Sequence, residues 1–191
     1  MGDSDPSHLG RFDSPGDTSR VRVHRNGELI NEQRRFLRAN VPVSAEPGTY
    51  RITMDTSHAA GWYPLSTSTS TAWTFDSARP ADGRQTLPLL WPRYDFATDE
   101  HNTQLGGVTG HFRLKLLPQT GASIGILKNV EVSVSYDDGA TWRDTTVARQ
   151  DGGYQVAVRN PDSGHVSLRV KAQDDRGNAV EQTLIRAYAV R

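Results

Sequence analysis

Residues 130–142 read VEVSVSYDDGATW. Val130, Val132 and Val134 alternate with Glu131, Ser133 and Ser135, the period of two that turns one face of a strand to a core and the other to water. Asp138-Gly139 follows, a pair suited to the two left-handed positions of a tight hairpin turn. Trp142 then brings apolar bulk back toward the core side. The stretch reads as half of an antiparallel pair, and its neighbours repeat the pattern.

Moving outward, the same alternation recurs in Val21/Val23, Tyr50/Ile52/Met54, Trp73/Phe75, Phe112/Leu114/Leu116, Tyr154/Val156/Val158 and Val166/Leu168/Val170/Ala172, with a last strand from about Asn178 to Val190. Asn26-Gly27, Asp82-Gly83 and Asp151-Gly152 are further doublets of the hairpin kind. STSTSTAWTF (66–75) reads as a strand whose hydroxyls serve local backbone groups. The best helical candidate, NEQRRFLRAN (31–40), is short and ambiguous. Short strands at regular spacing with turn signals between them give an all-β protein of two β-sandwich-type domains.

The polar, aperiodic stretch ATDEHNTQLGG (97–107) marks the expected boundary. Residues 1–20, rich in Gly, Pro, Ser and Asp, read as a flexible or incomplete N-terminal segment. Residues 21–106 form a β-rich sandwich-type domain, and 107–191 an immunoglobulin-like or fibronectin type III-like sandwich. The strand-like ending TLIRAYAVR is read as a natural terminus, and the start as a cut point.

Composition excludes several classes. With 22 Lys plus Arg against 22 Asp plus Glu, no basic excess exists to neutralise a nucleic-acid backbone, so no nucleic-acid partner is expected. No cysteine is present, which removes thiolate zinc sites, CxxC redox motifs and disulfide scaffolds. No apolar run approaches the roughly 20 residues that span a bilayer, so no membrane partner is expected, and MGDSDPSHLG lacks the features of a signal peptide.

Two short patterns overlap at LPQTGASIG (117–125). Leu117-Pro118-Gln119-Thr120-Gly121 has the form of a sortase signal, but a long strand-forming sequence follows it instead of an apolar segment and basic tail. Gly121-Ala122-Ser123-Ile124-Gly125 has the form of a nucleophile elbow, which requires a helix after the serine. Here an alternating strand follows, so Ser123 reads as a loop residue and no catalytic residue is assigned. His165 is the downstream histidine such a serine would need.

Ser135-x-Asp137-Asp138-Gly139-x-x-Trp142 fits the Asp-box pattern of sialidase-type propellers, but it occurs once and propellers repeat it. Turn chemistry accounts for Ser135, Asp137, Asp138, Gly139 and Trp142, which therefore read as structural. Acidic turns recur at Asp137-Asp138, Asp151 and Asp174-Asp175. Asp137, Asp174 and Asp175 are weak calcium candidates if two such turns share one end of a sandwich, although none has calcium-loop spacing. No other cofactor is indicated. The six histidines show no metal-binding spacing, and Arg34, Arg35 and Arg38 make a small basic patch. Trp62, Tyr63 and Trp91, adjacent to prolines in WYP and LWP, are candidates for surface binding.

Longer stretches resemble a known family. TYRITMDTSHAAGWYPLSTSTSTAWTFDSARP (49–80) and LPLLWPRYDF (87–96) resemble the region beyond the catalytic domain of large secreted bacterial subtilisin-like serine peptidases. VEVSVSYDDGATWRDTTV (130–147) and HVSLRVKAQDDRGNAVEQTLIRAYAV (165–190) resemble the final segment of the same proteins, in the same order. The resemblance implies an extracellular, non-catalytic accessory region that stabilises, positions or targets a peptidase domain in the same polypeptide. That family's GTSMA and HGTH motifs are missing, and Asp162-Ser163-Gly164 lacks the apolar strand that precedes the catalytic aspartate. The alternative is a free-standing extracellular module that binds a glycan or protein surface.

Overall fold

The computed structural model describes residues 16–35, 39–59, 61 and 63–191. Among the described residues the chain forms strands β1 (Thr18–Arg25), β2 (Glu28–Arg34), β3 (Gly48–Ser57), β4 (Ser68–Ser77), β5 (Leu90–Asp95), β6 (Thr103–Gln104) and β7 (Thr109–Pro118). They continue as β8 (Leu127–Ser135), β9 (Arg143–Asp144), β10 (Thr146–Gln150), β11 (Gly153–Arg159), β12 (Gly164–Asp174) and β13 (Ala179–Val190). No helix among these residues is long and apolar enough to cross a membrane. The ambiguous 31–40 stretch enters β2 through Arg34, because Val21 and Val23 of β1 offer a partner edge opposite Gln33 and Asn31. Phe36, Leu37 and Arg38 lie outside the described residues, as do residues 1–15.

Alternation in sequence becomes alternation in burial. In β7, Phe112, Leu114 and Leu116 are buried while His111, Arg113 and Lys115 are exposed. In β12, Val166, Leu168 and Val170 are sealed from solvent, with Lys171 and Gln173 outside. Asn26 and Gly27 have φ of 50° and 86°, and Asp151 and Gly152 have 47° and 72°, so both doublets make the expected left-handed hairpin turns. Asp82-Gly83 lies instead in the connection between β4 and β5.

Two sheets result. One runs β2-β1-β3-β4-β13-β12-β8-β9, with β6 parallel to the end of β13; the other runs β10-β11-β7-β5. The second sheet faces the β13-β12-β8 part of the first across a core containing Phe112, Leu114, Val156, Val158, Leu168 and Tyr188. In immunoglobulin lettering, β5, β7, β11 and β10 stand as A, B, E and D, while β8, β12 and β13 stand as C, F and G. The protein is thus an all-β, immunoglobulin-type sandwich whose G strand is extended by a meander-like antiparallel unit, β4-β3-β1-β2, in which β1 lies between β2 and β3.

The strand pairing redraws the expected domain boundary. The polar stretch 97–107 is the connection between the A-like and B-like strands, inside the sandwich. Its sequence is aperiodic because it turns: the Asp99 carboxylate accepts the His101 and Thr103 N–H groups at 2.9 Å each. The sandwich begins at β5, and among the described residues the unit before it has no second sheet of its own. Its inner face, including Val23, Tyr50, Trp73 and Phe75, is covered by Ala39, Val41 and Val43 and by Leu87, Leu89 and Trp91. At the other end of that unit, residues 18–20, expected to belong to a flexible tail, already pair with Ser57, Thr56 and Asp55 of β3.

Meander and sandwich share one sheet, so they are expected to unfold together. Chemical denaturation followed by tryptophan fluorescence and by far-UV circular dichroism should give one coincident transition. Leu168→Ala, at a fully buried position of β12, should lower stability by about 2–5 kcal/mol in the same experiment.

Candidate functional site

The turn after β8 closes on itself. The Ser135 hydroxyl donates to Asp137 Oδ1 at 2.7 Å and accepts the Gly139 N–H at 2.8 Å. Asp137 also accepts the Thr141 N–H at 2.8 Å and the Thr141 hydroxyl at 2.5 Å. These bonds, that of the Thr141 hydroxyl foremost, hold the Asp137 carboxyl down at about 2. Asp138 and Gly139 take φ of 55° and 91°. The left-handed φ favours glycine at 139, and a Cβ there would sit 3.1 Å from Ile185 Cδ1, a contact that Ile185 would have to yield by a few tenths of an ångström. Trp142 does not return to the core as expected: half-buried, it donates to the Gly139 carbonyl at 3.0 Å and carries the Arg169 guanidinium 4.1 Å above its ring. Asp138 takes the Arg186 guanidinium in a two-point pair, at 2.9 and 2.7 Å. Arg186 reaches it from a left-handed residue, φ 57°, where the β12–β13 register shifts.

A second carboxylate organises the opposite end of the sheet. Asp174, 3% exposed, accepts the N–H groups of Gly125 (2.7 Å), Arg176 (2.9 Å) and Asn178 (2.9 Å), and the Asn178 amide (2.8 Å). Burial opposes its charge, but the bonds from Asn178, Gly125 and Arg176 outweigh burial and hold the carboxyl below its ordinary value. Asp175 accepts the Ile126 N–H at 2.9 Å. The acidic turns at Asp137 and Asp174 are therefore split between the two ends of β8, about 26 Å of strand apart. Asp137 cannot share an ion with Asp174 or Asp175. Among the described residues no three His, Cys, Asp or Glu side chains gather as a metal-binding group.

Ser123 lies in the β7–β8 connection, where its hydroxyl accepts from Arg176 at 3.2 Å. A strand follows it, so no elbow is formed. His165 stands at the far end of β12 from Asp174, about 30 Å of strand away, and the two cannot form a nucleophile–base pair. The basic patch is neutralised in part: Arg34 donates to Glu32 at 2.7 Å and Arg20 approaches the same carboxylate at 3.9 Å.

The aromatic candidates also separate. Trp91 is half-buried and packs 4.7 Å from Trp73 between ring centroids, so it belongs to the wall of the meander rather than to a flat surface. Tyr63 is 40% exposed in the β3–β4 connection, 6.2 Å from the His58 ring. That connection leaves the sheet at Ser68, five strand positions or about 17 Å from Trp73. Tyr63 thus belongs to the β3–β4 connection and Trp91 to the wall of the meander. Trp62 lies outside the described residues.

Tertiary structure adds two features that strand periodicity did not mark. Buried Asn160 donates to the Gln104 side chain and the Leu105 carbonyl at 3.0 Å each, and accepts the Tyr188 hydroxyl at 3.1 Å. It fastens the β11–β12 turn to β6 and β13. The other feature is a half-enclosed apolar cavity of about 280 Å³ between the inner face of the meander and the 39–43 and 87–91 segments. The only sequence hint of that cover was Val41 and Val43 flanking Pro42, an alternation too short to name an element.

Asp174→Asn should test the carboxylate knot. One amide N–H₂ would then face donors, and stability at pH 7 should fall by about 2–3 kcal/mol in urea denaturation. Because the folded carboxyl lies below its unfolded value, the native contribution is complete above the unfolded pKa, near 4, and is lost as pH falls through the folded value. The difference between native and variant proteins should therefore shrink on acidification below pH 4.

No family model matches the chain, and no curated protein matches it in sequence. Among solved structures, it is similar to a chimeric titin Z1Z2-Z1Z2 tandem functionalized with a GRGDS peptide from fibronectin. The identity is 16%, over 90% of this chain and 83% of that one, with a TM-score of 0.30. The immunoglobulin-type assignment rests on the strand order described above.

Proposed function

We propose that the chain is the non-catalytic accessory C-terminal region of a secreted subtilisin-like serine peptidase, and that it stabilises, positions or targets the catalytic domain of that polypeptide. One observation carries the reading. The four stretches that resemble such proteins supply β3 and β4, β5, β8 to β10, and β12 and β13. Of these, β3, β4, β13, β12 and β8 are consecutive neighbours in one sheet. The resemblance therefore falls on a continuous framework and not on scattered loops. The carboxylates of Asp137 and Asp174 serve turns, and Ser123 stands at the opposite end of the sheet from His165, which fits a scaffold role. On this reading the chain works outside the cell and its first partner is the peptidase domain.

The intact mass of the native polypeptide carrying this segment, captured from culture fluid with a segment-specific antibody, tests the proposal. The expected species is far heavier than 21.1 kDa and yields serine-peptidase peptides on digestion. A native species of about the segment's own mass, with its N-terminus at Met1, would instead favour the free-standing binding module.

A further inference from the structure

The connection between β4 and β5 differs from the closed turns described above. Arg79 to Thr86 are eight consecutive exposed residues, the longest such run among the described residues. From Pro80 to Thr86, among the described residues, no hydrogen bond, ion pair or ring contact holds the chain. The turns at Asp99, Asp137 and Asp174 are each fastened by a carboxylate instead. A Cβ on Gly83 would meet nothing within 4 Å, so the space beside the loop is open. Exposed backbone with no bonds to break is where endopeptidases enter a folded protein.

Arg84 stands in this run, in Gly83-Arg84-Gln85-Thr86, and its exposed guanidinium suits a recognition pocket that ends in a carboxylate. Within residues 39–191 the other exposed Lys and Arg are poorer substrates. Most lie in strands, whose ladder bonds would have to open first. Arg79 precedes Pro80, a rigid residue without an N–H. Arg176 lies in a closed turn, with its N–H on Asp174 at 2.9 Å.

The two sides of the connection are joined elsewhere. β4, before it, pairs with β13, after it, from Ala179↔Thr74 to Ile185↔Ser68. Trp73 gives its indole N–H to the Leu90 carbonyl at 2.7 Å, and Leu89 and Leu90 share one core with Val23 and Tyr50.

We propose that the Arg84–Gln85 bond is a processing site for an arginine-specific endopeptidase, and that the two resulting chains stay assembled as one molecule. One water is added across the bond: its hydroxyl goes to the Arg84 carbonyl carbon and its proton to the Gln85 nitrogen. The site is independent of the accessory-region reading, because it requires only the folded chain.

The full chain would be treated with a trace of trypsin under native conditions and followed by denatured intact mass and by native size-exclusion chromatography. The first cut within residues 39–191 should fall after Arg84, with other cuts in that range at least about tenfold slower. Both pieces should elute together at the volume of the uncut chain and separate in urea. Arg84→Gln should remove this cut. Leu168→Ala weakens the core without touching the connection, so the Arg84 cut should keep its rate within about twofold, as cutting of the native state requires. A first cut elsewhere in residues 39–191, separation of the pieces under native conditions, persistence of the cut in Arg84→Gln, or faster cutting in Leu168→Ala would each overturn the proposal.

Discussion

Strand β13 is bonded along both of its edges, and the rest of the structure is arranged around that constraint. One edge pairs with β12; the other takes β4 from Ala179↔Thr74 to Ile185↔Ser68, then β6 at Ala189 and Val190. Arg186 stands at the change of partner in the left-handed region, and its carbonyl accepts the Ser66 N–H at 2.8 Å. In a free immunoglobulin-type sandwich the G strand would expose that second edge, an open template for further pairing. Here the edge is covered, and the meander has no route to fold as a separate sheet without surrendering those bonds.

The interior polar groups follow from the same junction. Tyr94 of β5 donates to the Gln182 side chain at 2.8 Å, and Gln182 donates to the Thr71 hydroxyl at 2.9 Å. This chain of bonds joins the opposite sheet, β13 and β4, the three parts that meet at the junction. Burial pushes the Tyr94 phenol well above its ordinary pKa, so it remains a donor. Such a network specifies alignment only when each member is satisfied, and it ties sandwich to meander in a way apolar packing alone would not.

Carboxylates are used here chiefly to build turns. Asp99, Asp137 and Asp174 each close a turn, and each is held below the ordinary carboxyl pKa by the bonds it accepts. The chief bond is from the Thr103 N–H at Asp99 and from the Thr141 hydroxyl at Asp137; at Asp174, against burial, it is from the Asn178 amide. Acidic residues that look available in the sequence are thus committed to local structure. The apolar cavity has the reverse character: its wall is assembled from residues far apart in the sequence, from Val21 to Trp91. Turns closed by their own carboxylates fit the scaffold role proposed above.

The sequence by itself determined the strand alternation, the hairpin doublets at Asn26-Gly27 and Asp151-Gly152, and the closed turn from Ser135 to Trp142, because each depends on residues within a few positions of one another. Even the hydroxyl-rich β4 was legible, since Trp73 and Phe75 keep its period. Other features were hidden in the one-dimensional pattern. Asp99 made a turn inside the sandwich look like a linker, while Pro92 and the brevity of β5 concealed its first strand. Trp91 read as exposed beside a proline, yet Trp73 covers it. The partner of β13, the separation of Asp137 from Asp174, and the cavity around Tyr50 were decided only by tertiary structure. Each depends on which distant edges and faces meet, and strand periodicity says which side of a strand is buried but not what buries it.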